Sequence, residues 1–435
     1  MRLTAFRADE GDCLLLESTD GRRLLVDGGT QDSYTAHVAP ALGRLQRDGK
    51  RLDIVCITHI DADHISGILR LLDDEAAWRV HDHKVSTGET NQRRPSTVRP
   101  AQVGTILHNA FHDQVGKNTG RVESMLAASA GLLSSATDGP LARVAQAQRD
   151  LAASIPQALR VSRRIRSDQL NIPQNPQFGG KLALVSDQVP LLRLGTTSLK
   201  VIGPFPQDVT KLRRDWDTWL RAHEQAVEGI RARAERDAGD LRLSEVDRLL
   251  APRLRATESL GETEVELAEQ LGLRSNVTTP NLASLMFLAE DDGSKVLLTG
   301  DGHADDILKG LDHHKALDGQ GNLHVTVLKV QHHGSEHNIH QRFCDAVTAD
   351  KYVFSGDGKH ENPDPKVLEL VHDRRMANDG RKFSFWFTST STLSATEEGR
   401  NHMAKVESLA KRLASRSGGR LTNRFVSGNS IRVLT

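Results

Sequence analysis

Short apolar runs alternate with Gly and Asp turns over residues 1–75, which is the pattern of hairpin-linked strands. The runs are LTAFRAD, CLLLEST and GRRLLVDGG. Apolar residues at helical spacing follow from Thr35 to Gly49, and LDIVCITH then predicts a short buried strand. Because HISGILRLLDD predicts a helix directly afterwards, the polar residues in between lie at the carboxyl end of a strand, where α/β folds bind ligands.

The middle of the chain has a different pattern. Residues 76–184 predict a mainly helical insertion with an Ala-rich segment at about 121–166, and residues 185–206 return to the core sheet. Residues 207–275 predict a charged helical insertion. Its apolar positions at 211–255 favour an amphipathic helix pair with a solvated face, and a binding surface is the alternative.

Strand character resumes at residues 276–435, which we interpret as the second half of the same domain. The runs NLASLMFLAEDDG, SKVLLTGDG and LHVTVLKVQHHGS predict three strands. The second ends at Asp301 and the third at His332-His333. Further helices and strands continue to the end, so the predicted class is α/β (α+β), with two strand-rich halves separated by largely helical insertions.

Composition narrows the function classes. The 435 residues contain 57 Lys+Arg and 57 Asp+Glu, so no global basic field indicates nucleic-acid binding. No apolar run approaches the ~18 residues of a membrane helix, and the N-terminus lacks a secretory pattern. The three cysteines are scattered and odd in number, which favours a reducing compartment. We therefore expect a cytoplasmic protein without a membrane partner.

The stretch VCITHIDADHISG places His59, Asp61, Asp63 and His64 within six residues, directly after a predicted strand. A divalent metal needs ligands that converge from several strand ends, which Asp301 and His332-His333 can supply. A tight loop can direct the two pairs to two metal ions ~3.5–4 Å apart, a separation suited to an attacking and a leaving oxygen.

The order DGG, THIDADHISG, LLTGD and LKVQHHGS resembles the metallo-β-lactamase fold superfamily. Within it, the HxDxDH loop is similar to that of competence-type DNA-uptake proteins, where most relatives have HxHxDH. GDCLLLE, NLAS and NPDP add to the resemblance, which covers about residues 1–75 and 185–375. It implies a four-layer αββα metallo-β-lactamase sandwich with a dinuclear site at one edge, between the two sheets.

The resemblance also implies roles for the ligands. His59 and Asp61 would bind the first ion, Asp63 and His64 the second, and Asp301 would bridge the two.

Three further residues have implied roles. His332 or His333 would complete the second metal site, and we favour His332 as the ligand and His333 as a catalytic contact because His332 lies nearer the strand. Asp27 of LLVDGG would orient the site. The expected catalytic residues are therefore Asp63, His333 and Asp27.

The chain departs from the superfamily pattern in two places. A third histidine for the first ion has no clear equivalent, and the candidates are His81, His83, His108 and His112. Where competence-like proteins have Gly-His-Pro, this chain has Glu361-Asn362-Pro363. His360 lies just before them and is a further candidate metal ligand.

The function expected from these residues is hydrolysis by a hydroxide activated by two divalent ions, zinc or manganese, with magnesium or iron as alternatives. Asp61 adds a hard ligand and negative charge, which suits phosphate esters, so a phosphodiesterase or nuclease comes first. The expected partner is a phosphoester substrate, with nucleic acid as one option. The alternatives are a hydrolase of another ester (thioester, lactone or phosphomonoester), or a bacterial defence effector or interaction protein whose helical insertions bind a protein partner and whose site is dormant.

Overall fold

The computed structural model describes residues 1–89, 93–110, 157–158, 160–188, 191–210, 284–378 and 380–434. The strands are β1 (Arg2–Phe6), β2 (Leu14–Glu17), β3 (Arg23–Val26), β4 (Leu52–Ile57), β5 (Val103–His108), β6 (Leu192–Leu194), β7 (Thr197–Gly203), β8 (Met286–Asp291), β9 (Ser294–Leu298), β10 (Leu323–Lys329), β11 (Val347–Phe354), β12 (Phe383–Phe387), β13 (Leu421–Phe425) and β14 (Ser430–Leu434). The helices are α1 (Gln31–Ser33), α2 (Ala39–Arg47), α3 (Ala62–Ser86), α4 (Ala304–His313), α5 (Gln341–Ala346), α6 (Pro365–Asn378) and α7 (Glu397–Arg416). A π-helical turn at Tyr34–Val38 joins α1 to α2, and 3-10 turns occur at Pro176–Phe178, His332–Gly334 and Lys359–Glu361.

The strands form two sheets. The six-stranded sheet has the order β14-β1-β2-β3-β4-β5, and the eight-stranded sheet has the order β13-β12-β11-β10-β9-β8-β7-β6. β3, β4 and β5 are parallel, as are β9 through β13. The loops that follow β4, β9 and β10 therefore leave from the carboxyl ends of parallel strands, where α/β sheets bind ligands.

Three apolar layers hold the sheets and helices together. Between the sheets, Leu16 and Leu24 of one pack with Phe287 and Leu298 of the other. α2 and α3 cover the outer face of the six-stranded sheet, and α4 through α7 cover that of the eight-stranded sheet. Each fully buried Leu or Phe contributes roughly 1.5–3 kcal/mol relative to exposure. The predicted α/β (α+β) class and αββα order are confirmed.

The structure differs from the predicted element bounds in three places. α3 continues to Ser86, well beyond the predicted helix at 64–74. β5 lies inside the range predicted as a helical insertion, and it pairs with β4. β14 pairs with β1, so the end of the chain closes the N-terminal sheet. Strand partners this far apart in sequence leave no local periodicity, which is why pattern reasoning missed them.

Most of the predicted helical insertions lie outside the described residues. This holds for the charged stretch at 211–255 and for the Ala-rich segment up to residue 156. Their role in binding a partner stays a prediction. Among the residues that the structure describes, no helix is both long enough and apolar enough to cross a lipid bilayer.

Candidate metal centre

The loop after β4 and the first turn of α3 carry the first group of ligand residues. Thr58 and His59 follow the last strand residue, and Asp61 is the residue at which α3 begins. Asp63 and His64 lie in the first turn of this helix. His59 and His64 are buried, whereas the side chains of Asp61 and Asp63 are 23% and 25% exposed. Two buried imidazoles thus stand beside two carboxylates that reach solvent.

Asp301 lies at the middle of the site. Its Oδ2 is 3.7 Å from Nε2 of His59, 3.5 Å from Nε2 of His64, 3.5 Å from Nε2 of His332 and 3.6 Å from Nε2 of His333. One carboxylate oxygen therefore faces four imidazole nitrogens from two distant segments of the chain. This is the position that the sequence predicts for a bridging ligand.

These spacings fit metal ligands better than direct hydrogen bonds. Two atoms bound ~2.1 Å from the same tetrahedral ion lie about 3.4 Å apart, close to the distances observed around Asp301. The buried atoms His59 Nε2 and Asp301 Oδ1 have no hydrogen-bond partner. Buried polar atoms are seldom left unpaired, so a cation at this position would satisfy both. The residues present therefore fit divalent metal ions.

Asp63, His64 and His333 form a compact group on one side of Asp301. His64 Nε2 lies 3.3 Å from His333 Nε2, and Asp63 Oδ2 lies 3.5 Å and 3.4 Å from these two nitrogens. Ligand atoms of His64, His333 and Asp301, together with Asp12, all lie within 4.8 Å of one another. His332, which we expected to be the ligand in preference to His333, is outside this set.

Carboxylates stand behind the imidazoles of His64 and His333. His64 Nδ1 donates to Asp27 Oδ2 at 2.9 Å, as the predicted orienting role of Asp27 requires. His333 Nδ1 lies 3.3 Å from Asp12 Oδ1 and 3.2 Å from Ser355 Oγ. Since Nδ1 is occupied in both rings, Nε2 is the nitrogen that each presents to the site.

Sequence reasoning missed Asp12 as a site residue. It lies in a turn before β2, and aspartate is so common in turns that its presence there does not indicate a site. Its carboxylate forms a buried ion pair with Lys329, whose side chain is 1% exposed. A lysine in the apolar run LHVTVLKV was the available signal, because a buried lysine needs an anionic partner.

Neutral groups stand behind the other two imidazoles. Thr58 Oγ1 donates to Asp27 Oδ2 at 2.7 Å, which leaves its oxygen free to accept from His59 Nδ1 at 3.0 Å. His332 Nδ1 lies 2.7 Å from Oδ1 of Asn338. These bonds again leave Nε2 facing Asp301. Asn338 is a second residue that the sequence did not indicate.

The carboxylates and imidazoles shift one another's pKa values. Burial opposes the charged forms, but His333 and His64 outweigh it and hold the pKa of Asp301 well below its usual range. The same two imidazoles lower the pKa of Asp63 against the effect of burial. Burial likewise opposes protonation of His333, yet Asp301 and Asp12 raise its pKa to about 9. The pKa of His64 is raised by Asp301, Asp63 and Asp27, whereas burial lowers the pKa of His332.

Two glycines allow α3 to approach the turn that holds Asp27. A Cβ at Gly67 would lie 2.0 Å from the carbonyl oxygen of Gly28, which no side chain could tolerate. The Gly28 amide donates to the carbonyl of His64 at 2.9 Å, which fixes the first turn of the helix against this loop. This close packing is what places His64 on Asp27.

The candidates for a third histidine lie elsewhere. His81 and His83 are in the last turns of the 25-residue helix α3, some 25 Å along its axis from His64. His108 ends β5 and is not one of the converging residues, and His112 lies outside the described residues. His360 is exposed in a 3-10 turn and is not brought to the converging group either. Its predicted role as a metal ligand has no support in this arrangement.

Comparison with known proteins finds a match in the N-terminal part of the chain. Residues 7–117 match the Metallo-beta-lactamase superfamily model. A hydroxyacylglutathione hydrolase from Xanthomonas campestris pv. campestris strain B100 is 32% identical over 108 residues, which is 25% of this chain and 37% of the relative. The enzyme of the same name from strain 8004 matches equally. The chain thus spans little more than a third of the length of these curated relatives.

Proposed function

We propose that this protein is a metal-dependent hydrolase that binds two divalent ions, and that phosphodiesters are its substrate class. The observation that carries the proposal is the single oxygen of Asp301 within 3.5–3.7 Å of four imidazole nitrogens. A carboxylate surrounded by four imidazole nitrogens in this way is suited to bridge two metal ions.

The ligands divide between the two ions by proximity. Asp63, His64 and His333 would hold the second ion, since their ligand atoms lie within 3.5 Å of one another. His59 would hold the first with Asp61, whose Oδ2 lies 3.5 Å from its Nε2. Zinc or manganese fits this mixed set of nitrogen and oxygen ligands, and magnesium or iron are the alternatives.

The metal ions, when bound, supply Lewis acidity that lowers the pKa of water and stabilises the charge developing on the leaving oxygen. The protein itself supplies orientation. Asp63 is 25% exposed and ionised, so its carboxylate can accept a hydrogen bond from the attacking water and orient it. Asp27 and Asp12 hold the rings of His64 and His333 so that Nε2 faces inward.

The carboxylate at position 61 favours phosphodiesters over other esters. The superfamily pattern has histidine there, and an aspartate adds a hard oxygen donor and a negative charge. Both changes favour ions such as manganese, which are common in phosphoester chemistry. The HxDxDH loop also supports the proposal through its similarity to competence-type DNA-uptake proteins, which makes nucleic acid the first phosphodiester to test.

Thioester hydrolysis is the second candidate because of the relatives. Hydroxyacylglutathione hydrolases are 32% identical to this chain over 108 residues. A dinuclear site can attack a thioester carbonyl as well as a phosphorus centre. The superfamily match at residues 7–117 includes the HxDxDH loop but not Asp301 or His333, so substrate class must be tested on the whole chain.

The test is a paired assay of bis(p-nitrophenyl) phosphate and an S-acylglutathione with manganese and with zinc added back. We expect phosphodiester turnover, and we expect Asp63→Asn to lower it by at least 100-fold without changing the circular dichroism spectrum. The matched control is Asp32→Asn, which changes an exposed aspartate of α1 and should leave the rate unchanged. Full activity of the Asp63→Asn variant would overturn the mechanism, and turnover of only the thioester would replace the substrate class.

A further inference from the structure

His332 and His333 are consecutive imidazoles that face the same oxygen of Asp301. Building on the two-ion site proposed above, we propose that His332 is the third protein ligand of the first metal ion. It would act there with His59 and Asp61, in place of the histidine that the superfamily pattern has earlier in the chain.

The rings of His332 and His333 have different neighbours. His333 Nε2 lies 3.3 Å from His64 Nε2 and 3.4 Å from Asp63 Oδ2, so it belongs with the second ion. His332 Nε2 lies 3.5 Å from Asp301 Oδ2, as close as any imidazole in the site. The two ring centroids are 5.7 Å apart with an interplanar angle of 69°, so the rings are directed differently.

His332 and His59 share a position outside the compact ligand set. Asp12, His64, Asp301 and His333 have ligand atoms mutually within 4.8 Å, and His59 and His332 are both outside that set. His332 nevertheless lies as close to Asp301 Oδ2 as His64 does, at 3.5 Å, and His59 lies 3.7 Å from it. A bridging carboxylate with one group of ligands for each ion would produce this distribution.

The hydrogen bond to Asn338 fixes His332 in the tautomer that can bind a metal through Nε2. Nδ2 of Asn338 donates to the backbone carbonyl of Asp301 at 2.9 Å, so the amide oxygen of Asn338 faces His332. An amide oxygen only accepts, and His332 Nδ1 must therefore carry the proton in this bond. A neutral ring with its proton on Nδ1 has a lone pair on Nε2, the nitrogen that faces Asp301.

The backbone of both histidines has an unusual conformation. His332 and His333 both adopt left-handed conformations, with φ of 46° and 54°. Such conformations are uncommon for residues other than glycine and persist where surrounding structure enforces them, often at functional sites. Two consecutive left-handed residues turn both side chains toward Asp301.

The experiment measures bound metal rather than activity. Purified wild-type protein and variants are loaded with Mn²⁺ or Co²⁺ and desalted. Metal content is then measured by elemental analysis, the two affinities by isothermal titration, and the ligand field by the Co²⁺ absorption spectrum. We expect two equivalents in the wild type, one each in His332→Ala and His333→Ala, and none in the double variant.

The magnitude and the controls are also set by the structure. Loss of a residue that merely supports a ligand costs about 10–100-fold in metal affinity, so loss of His332 should weaken one of the two ions by at least 100-fold. His337→Ala, an exposed histidine of the same loop, should keep both ions, and so should His360→Ala. Circular dichroism checks folding, and His332→Gln serves as a second variant if the alanine variant is unstable.

The outcomes separate this assignment from the proposed function. Two equivalents with unchanged affinities in both His332 variants would overturn the assignment of His332, as would loss of one ion in His360→Ala. Two ions in the wild type with no hydrolysis of either substrate would overturn the proposed activity and leave the ligand assignment standing. Fewer than two ions in the wild type would overturn the two-ion site and this assignment together.

Discussion

The two sides of the centre differ in the groups that stand behind their histidines. His64 is hydrogen-bonded to the carboxylate of Asp27, and His333 lies 3.3 Å from the carboxylate of Asp12 and 3.2 Å from the hydroxyl of Ser355. His59 and His332 are backed by a hydroxyl and an amide. A carboxylate partner makes an imidazole a stronger donor to a metal and restricts its orientation more firmly. We infer that the second ion is held more tightly and that the first is the more exchangeable of the two.

Exposure and charge agree with this difference. The side chain of His332 is 31% exposed, whereas those of His64 and His333 are 0% and 5% exposed. The neighbouring carboxylates raise the pKa of His333 to about 9, and the pKa of His332 is lowered by burial. Among the four histidines, His332 is therefore the one that solvent reaches most easily.

The largest effect is expected from Asp301→Asn, because the comparison depends on a carboxylate shared by both sides. Replacing it by an amide removes a negative ligand from each ion, so both affinities should fall by at least 100-fold. Elemental analysis after desalting, with circular dichroism as the folding check, measures this. If one ion remained bound with wild-type affinity, Asp301 would be a ligand of one side only.

An intermediate effect on metal affinity is expected when the hydrogen-bond partners of the histidine Nδ1 atoms are changed in matched variants. Asp27→Asn weakens the partner of His64, and Thr58→Val removes the partner of His59. Asp27 also accepts from Thr58 Oγ1, so we expect the first variant to lose about 10–100-fold in affinity for the ion at His64 with a smaller loss for the other ion. The second variant should lose less than about 10-fold. Isothermal titration of each variant gives both numbers. Equal losses would remove the difference between the two sides.

The smallest effect concerns pH in the metal-free protein. The pKa of His333 is about 9 in the fold and ~6.5 in an unfolded chain. Its proton therefore stabilises the fold fully below pH ~6.5, and this contribution is lost as pH rises through 9.

The melting temperature of chelator-treated protein should thus fall by a few degrees between pH ~6.5 and 9. In the metal-loaded protein, the ion occupies this position and the fall should be absent. Thermal melts of wild type and His333→Gln, with and without metal, provide the measurement. A metal-free wild type whose melting temperature rises over this interval would contradict the expected sign.

The site residues that follow a local sequence pattern could be predicted from the sequence. His59, Asp63, His64 and Asp301 each follow an apolar run at a strand end, and the structure brings all four together. The backing residues Asp12 and Asn338 could not be found in this way. Each lies in a turn that looks ordinary, and its function depends on a histidine from another segment.

The order of His332 and His333 was also beyond sequence reasoning. Nearness to the strand favoured His332 as the ligand of the second ion, but the left-handed turn brings His333 into the compact group. Backbone conformation of this kind has no signature in spacing. The same holds for β14, which closes the first sheet through a pairing with β1.

Asp12, Asp27, His59 and His64 come from the beginning of the chain, whereas Asp301, His332 and His333 come from more than two hundred residues later. Neither half of the polypeptide carries a complete set of the proposed ligands, so bound metal would act as a cross-link between two distant parts of the chain. Cross-links that close long loops restrict the unfolded chain most. A chain cut between residues 211 and 283 would therefore yield two fragments that need each other to bind metal, and metal would in turn favour their association.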